Sequence, residues 1–135
     1  MTSSTSLTGH CACGALRYRF DPASAVVDYC HCKTCQRWSG APVTAWAQVR
    51  PAQFEIVAGE AKAFQSSPLY KRHFCGECGS PVYMSGGETI GIMLGTVDDA
   101  SSLVPRGHGW TADQMPWLKI DDRLPRWDED APYDG

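Results

Sequence analysis

Apolar and polar residues alternate in several short segments of this chain, which predicts β-strands rather than helices. In residues 15–20 the alternation places Leu16, Tyr18 and Phe20 on one face and two arginines on the other. Further strands are predicted at residues 43–49, 54–57, 61–65, on both sides of the turn within 70–84, and at 89–97. No apolar stripe of helical period continues beyond about two turns. The pattern therefore predicts a mainly β domain with little helix.

Turn residues divide these segments and suggest how the chain is organised. Ala58, Gly59 and Glu60 separate two predicted strands and favour a hairpin between them. The 135 residues fit one domain, which we place at residues 9–128. The Ser- and Thr-rich residues 1–8 are expected to form a disordered lead-in, and residues 129–135 a tail. The Trp- and Pro-containing segment after Gly109 is expected to wrap around the domain in extended form.

Charge and composition exclude some function classes. The formal net charge is −3, and the 12 Lys and Arg residues are scattered, so we expect no nucleic-acid partner. No run approaches the roughly 20 apolar residues of a membrane span, and the first residues lack the features of a secretory signal. We therefore expect a cytoplasmic protein without membrane association. Seven cysteines, an odd number, then favour metal or thiol chemistry over disulfides.

The cysteines fall into three groups along the chain. Cys30, Cys32 and Cys35 lie within six residues, Cys75 and Cys78 have the C-x-x-C-G form of a zinc knuckle, and Cys11 and Cys13 form the remaining pair. Joining the two pairs gives a four-thiolate tetrahedral site and leaves a separate three-thiolate group. We therefore predict two zinc ions per chain, with iron as the main competitor at the four-thiolate site.

Three ligands instead of four have a chemical meaning. A structural zinc site is closed by four protein ligands, whereas a catalytic one keeps a position for water or substrate. A substrate thiol is the natural soft ligand for such a position. His31, between two of the thiols, is expected to point away from a metal that they share. The alternatives are a site closed by His10, His73, His108 or an aspartate, and a redox dithiol.

Five motifs, spread over residues 9–127, resemble the glutathione-dependent formaldehyde-activating enzyme family, also called the centromere-protein-V-like family. They are G-H-C-A-C-G-A-L-R-Y from Gly9, Y-C-H-C-K-T-C-Q-R-W-S-G from Tyr29, R-H-F-C-G-E-C-G-S from Arg72, G-T-V-D-D from Gly95 and W-L-K-I-D-D-R-L-P-R-W from Trp117. The resemblance implies a β-tent barrel with zinc knuckles. It also implies a structural zinc on the four paired cysteines and a catalytic zinc on Cys30, Cys32 and Cys35.

The family's activity is a carbon–sulfur lyase reaction that joins formaldehyde to glutathione, so a small thiol and an aldehyde are the expected partners. The match at Arg72 suggests a place near the substrate or in a salt bridge, and Ser66 and Ser67 resemble a family segment that lines the same cleft. Ser39 and Gly40 offer a hydroxyl and a backbone amide to a substrate oxygen, with a loop-closing turn as the alternative.

Two functions are therefore open. The first is a zinc-dependent enzyme of the carbon–sulfur lyase type that acts on a small thiol adduct. The second is a zinc-stabilised binding module without catalysis, by analogy with exchange-factor-like proteins of similar fold. Self-association into a homo-oligomer through apolar sheet faces is a further expectation, without a predicted number of subunits.

Overall fold

The computed structural model describes residues 6–133, and these form ten β-strands and one α-helix. The elements are β1 (Leu7–His10), β2 (Arg17–Phe20), β3 (Val26–Cys30), α1 (Lys33–Ser39), β4 (Thr44–Val49), β5 (Phe54–Ala58), β6 (Ala61–Gln65), β7 (Tyr70–Cys75), β8 (Pro81–Gly86), β9 (Thr89–Met93) and β10 (His108–Gly109). The prediction of a mainly β fold with little helix is confirmed. Among the described residues, no helix has the length and apolarity needed to cross a membrane.

The strands form two sheets. One has the order β1-β2-β5, and the other has the order β10-β3-β4-β9-β8-β7-β6. Neighbouring strands are antiparallel except β10, which runs parallel to β3. Within residues 6–133 neither sheet closes on itself, so the predicted barrel is wrong in its closure. A single bridge from Gly9 to Val97 connects the edge at β1 to the segment after β9, which is too little pairing to close a barrel.

Both sheets contribute to one core. The alternation predicted for β2 is confirmed, since Leu16, Tyr18 and Phe20 are buried. The ring of Phe54 in β5 lies 4.8 Å from the ring of Tyr83 in β8, so the two sheets meet through aromatic side chains. Burial of such side chains is the main stabilising term for a domain of this size.

The predicted hairpin between residues 54–57 and 61–65 is wrong, although both strands exist. β5 pairs with β2 in the small sheet, whereas β6 pairs with β7 in the large one. Gly59, at the divergence, has φ of 80°, and a Cβ there would collide with the carbonyl oxygen of Ala15. The glycine therefore permits the chain to pass from one sheet to the other, close to the backbone before β2.

The N-terminal end departs from the expected boundary, and the segment after Gly109 runs along the domain. Residues 1–5 of the predicted lead-in lie outside the described residues, and β1 already begins at Leu7, inside the predicted lead-in. At the other end, residues 122–133, called the tail from here on, pass beside β10: Trp127 N donates to His108 O, and Trp110 N donates to Glu129 O. These hydrogen bonds bring the tail to the end of β3, where the central cysteines begin.

Candidate metal centre

The four paired cysteines converge as the sequence predicted. Cys11 and Cys13 follow β1, Cys75 and Cys78 lie at the turn between β7 and β8, and their four sulfurs lie within 4.8 Å of one another. The Cys11–Cys13 sulfur distance is 3.6 Å and the Cys13–Cys75 distance is 3.8 Å. A tetrahedral zinc with its usual Zn–S bonds separates its sulfurs by about 3.8 Å. The donor set therefore fits a four-thiolate metal site.

Backbone amides in both turns point at these sulfurs. Leu16 N donates to Cys11 Sγ and Glu77 N donates to Cys75 Sγ, each at 3.3 Å. Hydrogen bonds from Ser80 lower the pKa of Cys78 to about 5. Donors aimed at sulfur favour the thiolate form, which is the form that binds metal.

The second cluster is built by the end of β3 and the start of α1. Cys30 is the last residue of β3, Cys32 is the N-cap of α1, and Cys35 lies in its first turn. Cys35 N donates to Cys32 Sγ at 3.3 Å, as in an N-cap whose side chain accepts from the third helical residue. The three sulfurs lie within 4.8 Å of one another. The short helix was missed because seven residues are too few to show a helical period.

A buried cation lies against this cluster. Arg72 is 6% exposed, and its guanidinium donates to Cys35 Sγ at 3.6 Å. It also lies 5.3 Å above the ring of Trp38, which stacks on Trp46. Hydrogen bonds from Cys30 and Cys32 and the charge of Arg72 lower the pKa of the Cys35 thiol far below its usual value. The cluster therefore favours a thiolate at Cys35.

The three cysteines face a cavity of about 570 Å³. Its other lining includes Arg72, the two serines of the predicted family segment, and aromatic and apolar side chains. These lining residues are Ser66, Ser67, Trp46, Tyr70, Met84 and Trp110. None of the four paired cysteines lines this cavity. Cys11 instead lines a separate cavity of about 430 Å³, so the two clusters face different cavities. Typical ligand pockets have volumes of about 300–1,000 Å³.

Ser39 and Gly40 are placed at the end of α1 and do not line the cavity. The Ser39 hydroxyl donates to Cys35 O at 2.7 Å and accepts from Ala41 N at 3.1 Å. Gly40 has φ of 74°, and its N–H donates to Gln36 O. This is the loop-closing role that the sequence left as an alternative, because both groups are used in ending the helix.

The described residues supply no fourth ligand to the central three sulfurs, since no histidine or carboxylate joins their cluster. His10 contacts Asp98 at 3.3 Å, and His73 contacts Ser85 at 2.7 Å. His31 and His108 contact each other at 2.9 Å. The geometry therefore gives no support to a site closed by one of the four histidines.

The tail also contributes to the site, which local sequence patterns did not indicate. Asp130, Ala131 and Tyr133 line the cavity beside the central cysteines. Asp122 contacts His108 at 2.8 Å. These residues are about a hundred positions from the cysteines in sequence. The sequence indicated only that the segment after Gly109 wraps around the domain, and the motif from Trp117 includes Asp122 but not the later residues.

Comparison with known proteins agrees with this architecture. Residues 6–113 match the profile of the family described as glutathione-dependent formaldehyde-activating enzyme. An uncharacterized lyase of Schizosaccharomyces pombe is 27% identical over 77 residues, which cover 57% of this chain. The match covers 56% of the yeast protein, so it spans little more than half of that relative.

A crystal structure of a Rhodobacter sphaeroides protein shares the fold. The match has a TM-score of 0.58 and 24% sequence identity, and it covers 75% of this chain and 98% of that one. The family profile extends over most of the chain and includes both cysteine clusters. The chain therefore belongs to the glutathione-dependent formaldehyde-activating enzyme family.

Proposed function

We propose that this protein is a metal-dependent enzyme of the carbon–sulfur lyase type, with its reactive site at Cys30, Cys32 and Cys35. The observation that carries the proposal is the convergence of three sulfurs, without a fourth described protein ligand, on a cavity of small-molecule size. We further propose zinc at both clusters, because thiolates are soft donors. At the four-thiolate cluster the distances between sulfurs also suit tetrahedral coordination. The four-thiolate cluster then has a structural role.

A zinc ion on the three thiolates would supply an open position for the sulfur of a substrate and would favour its thiolate form. The family description suggests glutathione as the thiol and formaldehyde as the aldehyde. In the direction of synthesis a carbon–sulfur bond forms between the thiolate and the aldehyde carbon, and the carbonyl oxygen takes up a proton. In the reverse direction the adduct loses its hydroxyl proton and the same bond breaks.

The residues around the site suit this chemistry. Arg72 holds a positive charge beside Cys35, so it offsets negative charge that accumulates when another thiolate enters. Trp46 and Trp110 give the cavity apolar surface for the carbon atoms of a bound adduct. The Ser67 hydroxyl accepts from Tyr70 N at 3.1 Å, which leaves its own proton to donate to a substrate oxygen.

The first experiment is a measurement of metal per chain on freshly purified protein, with and without added glutathione. We expect two zinc ions, one of which is lost or changes its sulfur coordination when the thiol is added. The thiol is then tested with formaldehyde for formation of the hydroxymethyl adduct by NMR. Two zinc ions that are indifferent to every thiol offered would refute the proposal and favour the non-catalytic binding module.

The matched variants are Cys32→Ser and Ser39→Ala. Cys32→Ser removes one of the three sulfurs and is expected to abolish turnover while the protein stays folded. Ser39→Ala changes a hydroxyl on the same helix that does not line the cavity, so its turnover should match that of the unsubstituted protein. Retained activity in Cys32→Ser would contradict the assignment of the reactive site.

A further inference from the structure

His31, between two of the central cysteines, is held on three sides. Its N–H donates to Gly109 O at 3.1 Å, and its carbonyl accepts from the Gln36 side chain at 2.6 Å. Its imidazole is fully buried, with Nε2 at 2.9 Å from Nδ1 of His108. Because Cys30 and Cys32 are its direct neighbours, a displacement of the His31 backbone would move both sulfurs.

The contact continues from His108 to the tail. His108 is also fully buried, and its Nε2 lies 2.8 Å from Oδ2 of Asp122. The other carboxylate oxygen of Asp122 accepts from Leu124 N at 3.0 Å. The ring of His108 stacks on Tyr29 at 4.6 Å. Asp122 lies beyond residues 6–113, which match the family profile.

The donor and acceptor at each hydrogen bond from Asp122 through His108 to His31 follow from chemistry. An ionised carboxylate only accepts, so Nε2 of His108 must carry the proton. In a neutral imidazole Nδ1 of His108 is then the acceptor, and Nε2 of His31 is the donor. The remaining nitrogen of His31, Nδ1, has no hydrogen-bond partner among the described residues. Asp122 therefore orients the ring of His108 directly and the ring of His31 through His108.

We propose that Asp122 is a positioning residue for the three-thiolate site. Asp122 holds Cys30 and Cys32 in place through His108 and His31. The inference rests on the metal-binding role proposed above for the central cysteines. None of the described hydrogen bonds that link His31, His108, Asp122 and Leu124 involves one of the four paired cysteines, so the four-thiolate cluster serves as an internal reference.

The test compares Asp122→Leu, Asp122→Asn and Asp121→Leu in the zinc-loaded full chain. The affinity of each zinc equivalent is measured by competition with a chromogenic chelator. Asp122→Leu should weaken one zinc equivalent by about tenfold, the lower end of the loss for groups that hydrogen-bond directly to a metal ligand, because Asp122 acts through two histidines. The other equivalent should be unchanged. Asp122→Asn keeps an acceptor for His108 and should retain most of the affinity. Asp121→Leu, at the exposed neighbouring position, should behave as the unsubstituted protein.

Two results would overturn the inference: unchanged affinity of both equivalents in Asp122→Leu, or an equal loss from both, which would indicate general destabilisation. Where Asp122→Leu does not fold, the tautomers in the unsubstituted protein decide, as read from ¹⁵N NMR of the imidazoles. Protons on Nε2 of both His31 and His108 support the inference, and a proton on Nδ1 of either ring overturns it. A protein that binds fewer than two zinc ions would instead refute the proposed function.

Discussion

Replacing Arg72 by methionine tests whether a buried charge tunes the central cluster. The substitution keeps an unbranched side chain of similar length but removes the guanidinium that contacts Cys35 at 3.6 Å. At that separation, two unit charges interact by about 5 kcal/mol at an effective dielectric constant of about 20. Part of this is offset, because methionine also avoids burying a guanidinium whose Nε has no described partner.

A hydrogen bond to a charged group contributes about 1.5–3 kcal/mol net, and this is the loss that we expect. It corresponds to roughly tenfold to 150-fold weaker binding of one metal equivalent or of the thiol. The assay is cobalt(II) titration, in which the sulfur-to-metal absorption reports each thiolate. The control is Arg72→Lys, which keeps the charge but not the planar stacking on Trp38. Its affinity for the metal or the thiol should lie between that of Arg72→Met and that of the unsubstituted protein.

The loss should persist at high salt, because Arg72 and Cys35 are both buried and are screened little by mobile ions. If Arg72→Met binds metal and thiol as tightly as the unsubstituted protein, the reasoning is refuted, and Arg72 serves only to fill space beside Trp38.

Other expected outcomes concern stability. Cys75→Ser should abolish the cooperative thermal transition, because a structural zinc site contributes about 10 kcal/mol or more, comparable with the whole stability of a domain; a folded, soluble variant would contradict this. Gly59→Ala should lower the free energy of unfolding by about 3 kcal/mol or more, against about 1–2 kcal/mol for Gly87→Ala, which also has positive φ but open space around it. Denaturant titration measures both, and equal losses would remove the steric argument. Tyr18→Phe should cost about 1 kcal/mol in the same titration, since it breaks the 2.7 Å hydrogen bond with Thr96, and an unchanged midpoint would show that this bond contributes nothing net.

The sequence predicted the cysteine groups correctly because chemistry leaves few ways to divide seven thiols. Two pairs and one triplet follow from the spacing, and the structure brings the sulfurs together in that division. The buried face of β2 was also predictable, since alternation over six residues has one simple interpretation. In both cases the information is local.

What the sequence did not predict depends on distant partners. β5 and β6 have the pattern of a hairpin, but which strand each pairs with is decided by the packing of the two sheets. The contact of His31 with His108 spans 77 residues, and His108 reaches Asp122 only because the tail runs beside β10. No pattern within a window of the sequence carries such information. The barrel was implied by the family resemblance, and this prediction was wrong in its closure, because the edges of the two sheets do not pair among the described residues.

The four-thiolate cluster joins segments that belong to different sheets. Cys11 and Cys13 follow β1 of the small sheet, whereas Cys75 is the last residue of β7 in the large sheet and Cys78 lies in the turn after it. A metal bound there would therefore cross-link the two sheets, whose strands must each pair correctly within their own sheet. Closing such a long loop is entropically costly, and non-local pairing makes folding slow. Because this site is expected to contribute much of the folding free energy, metal supply would then determine what fraction of newly made chains reaches the folded state.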